Sequence, residues 1–172
     1  MLAPGIAAIS QAACSARDEG AAFTVLDGGE ARDIAAVVAR IVPTTDTPGA
    51  AEAGVIYFID KAFDAEMSGQ LDFARGGLAE FNQALNAEHG DTRFDELDED
   101  TQDAFLATQE ETPFFGMMWA MTIFGFFSMP KYGGNRDKVG WELVGFEGDH
   151  GPWTYPFGYY DAPVHGGNSD GE

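Results

Sequence analysis

The sequence predicts a mainly α protein: about five helices in one compact domain, followed by an irregular, aromatic-rich C-terminal arm. Apolar residues recur at helical spacing in several windows, and glycine and proline fall where those windows end. No internal repeat and no strand-rich block interrupts them. Residues 1–28 read as the remnant of an export signal and a linker, 29–165 as the helical domain with its arm, and 166–172 as a tail.

The first helix follows the turn signal Asp27-Gly28-Gly29. From Glu30 to Ile41, the residues Ile34, Val37, Val38 and Ile41 keep the i, i+3, i+4, i+7 pattern of an amphipathic helix. Pro43 ends it, because proline disfavours helical geometry in the residue before it. After the turn-rich loop Thr44–Gly49, a second helix is expected from about Ala50 to Met67. Its face is Ile56, Ile59 and Phe63, broadened by Val55, Tyr57 and Phe58, so it should be well buried. The third, roughly Gly69 to His89, has the cleanest stripe: Leu71, Ala74, Leu78, Phe81 and Leu85, with Gly90 at the stop position.

The acidic stretch Asp91–Asp100 has Phe94 and Leu97 as its only anchors. Asp98 is placed to cap a fourth helix, with Phe105 and Leu106 facing inward. Pro113 suits the first turn of a fifth, which is apolar from Phe114 to Phe127 and ends before Pro130. A membrane-spanning helix needs roughly 20 apolar residues, so this shorter run reads as a buried core helix. Beyond Gly145 come Trp153, Tyr155, Phe157, Tyr159 and Tyr160 among glycines and prolines, without a periodicity that would define an element.

Formal charge is −20, from 29 acidic and 9 basic residues, which argues against nucleic acid and against an anionic membrane surface. The simplest reading is a solvated, self-repelling surface; a salty habitat and a docking face for a basic partner are the other two. Cys14 is the only cysteine, so no internal disulfide forms. His89, His150 and His165 lack metal-ligand spacing. Glu52 with Asp60, or Asp46 with Glu52, would make a carboxylate pair, but among 29 acids such pairs arise by chance. Gly133-Gly134 lacks the spacing and the strand-to-helix context of a dinucleotide loop. No residue is assigned to catalysis, cofactor or metal.

What remains is a part that packs and docks. Tyr132-Gly133-Gly134-Asn135-Arg136-Asp137 reads as a rigid turn: the glycines supply unusual backbone angles, and Asn135 tolerates left-handed geometry and can close its own turn. Arg136 can pair with Asp137 or satisfy carbonyls at the end of the preceding helix. Beside Trp141 such a turn is also a good docking knob. The arm, with Trp153 and Tyr155, either wraps its own core or meets a partner. Tyr132, Gly133, Gly134, Asn135, Arg136, Trp141, Trp153 and Tyr155 are therefore the candidate residues, as structural turn or as partner interface. Leu2–Ala13 is apolar and rich in small residues, like the later half of an export signal without its positive front half. Lipid attachment at Cys14 would call for Leu where Gln11 stands.

Two segments together resemble the gluconate 2-dehydrogenase subunit 3 family. One is Ile41-Val42-Pro43-Thr44-Thr45-Asp46-Thr47-Pro48-Gly49-Ala50, followed by Glu52-Ala53-Gly54-Val55 and Phe58-Ile59-Asp60. The other is Gly125-Phe126-Phe127-Ser128, then Pro130, Tyr132-Gly133-Gly134-Asn135 and Gly140-Trp141. The resemblance spans about Ala31 to Phe146. It implies a small, helical, non-catalytic subunit of an exported sugar dehydrogenase. In that family the large partner is of the glucose-methanol-choline type and carries FAD, and a cytochrome c (haem c) subunit often takes the electrons. The small subunit stabilises the large one and typically bears a twin-arginine (Tat) export signal, which implies a periplasmic location. The twin arginines are not present in this sequence. Two other classes stand beside this reading. A stand-alone carbohydrate-binding domain would use Trp153, Tyr155 and Tyr159 and would bind sugar in isolation. A hydrolase built on a carboxylate pair would be active as the purified chain.

Overall fold

The computed structural model describes residues 22–146. The export-signal remnant, Cys14, the arm with Trp153 and Tyr155, and the tail lie outside the described residues. Within them the protein is helical, as its sequence predicts, with six α-helices and no strand.

Helix α1 (Gly28–Ile41) starts at Asp27, whose carboxylate accepts from the amides of Gly29 and Glu30 at 2.7 and 2.9 Å. Glu30 returns the bond by accepting from Asp27 N at 2.9 Å, which completes a capping box. Ala31, Ile34, Val37 and Val38 are buried. The next helix, α2 (Val55–Asp64), is shorter than the expected Ala50–Met67. Gly54 takes a left-handed conformation (φ 68°) and separates a preceding turn from the helix. Helix α3 (Leu71–His89) buries Ala74, Leu78, Phe81 and Leu85 and stops at Gly90, φ 72°. A 3-10 turn at Ser68–Gln70 takes the place of its expected first residues.

The acidic stretch folds as a 3-10 turn, Phe94–Glu96, tied to α4 (Glu99–Gln109) by Gln102 Nε2 donating to Phe94 O at 2.7 Å. Asp98 caps α4 by accepting from Thr101 N. Arg40 of α1 donates to both carboxylate oxygens of Asp103 at 2.8 and 2.7 Å, which ties α4 to α1. Phe81, Phe94, Phe105 and Phe114 form the aromatic centre of the core, Phe81 having its ring centroid 5.2–5.6 Å from each of the others. Edge-to-face and tilted rings at such distances add to simple burial.

Helix α5 (Pro113–Phe127), with proline in its first turn, packs on α1, α2 and α3. The expectation of a buried core helix is corrected here. Phe114, Met118, Met121, Thr122, Gly125 and Phe126 are buried, but Trp119 is 53% and Phe124 64% exposed, and Phe127 and Gly116 are exposed as well. The other helices cover one side of α5 only, so an all-round apolar sequence leaves half its girth outside. A sixth helix, α6 (Val139–Leu143), which periodicity did not indicate, follows the glycine turn. No described helix is long and apolar enough to cross a membrane.

Candidate partner-docking surface

The segment after α5 is built so that backbone can lie on backbone. Pro130–Tyr132 forms a 3-10 turn, and Gly133 follows at φ 105°, where only glycine is unstrained. A Cβ on Gly133 would lie 3.0 Å from Tyr57 O. One on Gly134 would overlap the carbonyl of Gly125, and one on Gly140 the carbonyl of Phe126. The turn therefore sits directly on the last helical turn of α5 and on the start of α2.

Asn135 is the fastener. It is fully buried, with φ 49° and ψ 41°. Its Nδ2 donates to Ser128 O at 2.8 Å, and its Oδ1 accepts from Gly140 N at 2.9 Å. One amide thus satisfies a carbonyl just past the end of α5 and an amide in the first turn of α6. Both groups would otherwise be costly to bury. Arg136 N donates to Ala53 O at 2.9 Å. The Arg136 guanidinium lies over the Tyr57 ring, 5.4 Å from its centroid, so its cation–π partner comes from α2.

The residues that show themselves to solvent are different ones. Tyr132 is half exposed, and Trp141 is half-buried with Nε1 donating to Phe127 O at 2.9 Å. Phe146 packs edge-on against Trp141 at 5.1 Å. Met129, Leu143 and Val144 are exposed as well, and the Trp141–Phe127 bond sets Trp141 and Phe146 at the C-terminal end of α5's exposed side. Of the sequence candidates, Gly133, Gly134, Asn135 and Arg136 are joined to α5 and α2, while Tyr132 and Trp141 border the apolar surface. Sequence reading missed Trp119, Ile123 and Phe124. Their signal was the lack of any polar stripe along Phe114–Phe127, which a helix covered on one side only converts into exposed Trp119 and Phe124 rings with a half-buried Ile123 between them.

The carboxylates considered as pairs serve separate sites. Asp60 is buried and accepts from the amides of Thr24, Val25 and Leu26 at 2.7, 3.0 and 3.0 Å. Glu52 accepts from Thr44 Oγ1 at 2.7 Å and from Gly49 N at 2.9 Å, closing the loop before α2.

The sequence profile of the gluconate 2-dehydrogenase subunit 3 family matches residues 29–148, which include the whole described helical body after Gly28. The chain belongs to that family. No curated protein and no solved structure matches it. Membership makes this chain a subunit of a gluconate 2-dehydrogenase complex, with the dehydrogenase assembly as its partner. The two blocks that carry the subunit 3 resemblance are the two sides of one junction: Ala53 and Gly54 face Arg136, and Gly125 faces Val55 and Phe58.

Proposed function

We propose that this chain is the non-catalytic small subunit of an exported, FAD-dependent sugar dehydrogenase, and that it supports folding, stability and export of the large flavoprotein. FAD belongs to the large glucose-methanol-choline-type subunit in this reading, and haem c to a cytochrome subunit where one is present. Export by the Tat route places the assembled enzyme in the periplasm.

The observation that carries the reading is the outward face of α5. A helix with Trp119, Ile123, Phe124 and Phe127 turned away from its own core offers a partner a continuous apolar stripe, bounded by the rigid Tyr132–Trp141 turn. Apolar patches of this kind, backed by a preorganised scaffold, mark protein–protein surfaces. A subunit that binds only the folded flavoprotein stabilises it by mass action.

Co-expression with the large flavoprotein, followed by pull-down and a dye-linked sugar oxidation assay, tests this. The two chains should co-purify, and flavoprotein yield or activity should collapse without the small one. Trp119→Ser with Phe124→Ser should weaken capture at least tenfold, which corresponds to roughly 1.4 kcal/mol, while leaving the helical content of the small chain unchanged. A flavoprotein that is soluble and fully active alone, and that ignores this chain, overturns the reading.

A further inference from the structure

All three lysines of this acidic chain, Lys61, Lys131 and Lys138, are exposed and gather around the glycine turn. The Lys61 side chain, from α2, lies so near Gly133 that a Cβ there would be 3.1 Å from it. Lys131 lies over the Tyr132 ring, 4.9 Å from its centroid, and Lys138 over the Trp141 ring at 5.9 Å. Trp141 in turn donates to Phe127 O, which sets the lysine corner at the C-terminal end of the exposed side of α5.

Elsewhere in the fold, cations are used internally. Arg32, Arg40, Arg75 and Arg93 each make an ion pair with a carboxylate of this chain at 2.7–2.9 Å. Among the described residues none of the three lysines makes one, although Asp64, Asp137 and Glu142 stand close to them in sequence. Lys138 is also held against its backbone preference. Asn135, Asp137 and Lys138 take φ of 49°, 55° and 63°. Asparagine and aspartate tolerate this left-handed region because their short side chains bond locally, a compensation that lysine lacks. Glycine would suit position 138 better. A lysine in such backbone points to a use for its ammonium outside the free fold.

Resting on the reading of α5 as the docking face, we propose that this corner is the charged rim of that face. The dehydrogenase subunit meets it with a cluster of Asp and Glu carboxylates, set beside the apolar strip that takes Trp119 and Phe124. Charge complementarity selects this occupant. A second copy would bring another chain of formal charge −20, and a basic partner would meet like charge at the rim. An acidic partner is repelled by the rest of this surface and attracted here, so the lysines fix which end of α5 meets which part of the partner.

The purified full chain and the purified large subunit are mixed, and their affinity is measured at two salt concentrations. Lys131→Gln with Lys138→Gln should weaken binding about tenfold at about 0.02 M salt and less than about threefold at about 1 M, where the Debye length is about 3 Å. Gln83→Glu with Asn86→Asp, exposed on α3, changes the net charge equally and should alter affinity less than about twofold. Lys138→Gly relieves the left-handed backbone, so it should melt no lower than the wild type and still lose about threefold in affinity at low salt. A zero-length carbodiimide, which condenses an amine with a carboxylate, should join Lys131 or Lys138 to Asp or Glu of the large subunit, as mapped by peptide mass spectrometry. A double lysine variant that binds like the wild type at low salt overturns this inference alone, as does a complex in which neither lysine links to the large subunit. The docking role of α5, read from Trp119→Ser with Phe124→Ser, then stands. A large subunit that does not bind the wild-type chain overturns both.

Discussion

Gly134 lies against Gly125 with no side chain between them: a Cβ at 134 would overlap the Gly125 carbonyl oxygen. Two glycines 9 positions apart in sequence thus let the chain double back onto the end of the helix it has just left. Gly134→Ala must push the turn off α5 and should destabilise the protein by about 2–4 kcal/mol. Gly76→Ala is the control. It lies exposed inside α3 with open space around it, and should gain roughly 0.5–1 kcal/mol from helix propensity alone. Urea unfolding of the two variants should therefore move in opposite directions.

Asn135 is irreplaceable by its nearest isostere. Aspartate keeps an acceptor for Gly140 N but presents an oxygen to Ser128 O, where Nδ2 now donates, and it places a charge in a fully buried site. Asn135→Asp should cost about 3 kcal/mol or more at neutral pH, and the loss should shrink as the pH falls and the new carboxyl protonates. Thermal unfolding at pH 7 and pH 4, each against the wild type, checks this.

Asp60 anchors the chain ahead of α1 by accepting three backbone amides. Asp60→Ala orphans all three and should cost about 3 kcal/mol; Asn, with one acceptor oxygen, should cost less. Hydrogen exchange locates the effect. The amides of Thr24, Val25 and Leu26 should lose protection in Asp60→Ala before the α3 core does.

Glu52 gives a pH dependence with a defined sign. Burial pushes its carboxyl up, but hydrogen bonds from Thr44 and from the amides of Glu52 and Gly49 outweigh this and hold it below the ordinary value of 4.5. A carboxyl lowered on folding contributes stability above its unfolded value and loses it as the pH falls through the folded one. Glu52→Gln should therefore melt below the wild type at pH 6, and the gap should close as the pH drops below 4.5. A gap that widens in acid would show that the carboxylate is not held by these bonds.

The helices were legible because their signals are local. Ile34, Val37 and Val38 recur with the helical period, Asp98 sits before a first turn, Gly90 sits after a last one, and Pro113 fits the start of α5. Such features act within a few residues, so sequence spacing reports them directly. The ends of α2 were less legible: Ala50, Ala51, Glu52 and Ala53 are good helix formers, but the left-handed Gly54 and the contact of Arg136 N with Ala53 O turn them into a separate loop. Nor was α6 legible, since five residues with a glycine among them carry no period and are held by Asn135 from outside.

By itself the sequence determined a helical protein, its family, and a rigid glycine–asparagine turn, since composition, period and backbone freedom are properties of the chain. Which side of α5 is covered was decided only by the tertiary structure. An apolar residue such as Phe124 has the same affinity for a core as Phe126, two positions along. That Phe126 is 0% exposed and Phe124 64% exposed follows from where α1, α2 and α3 lie, which no local spacing encodes.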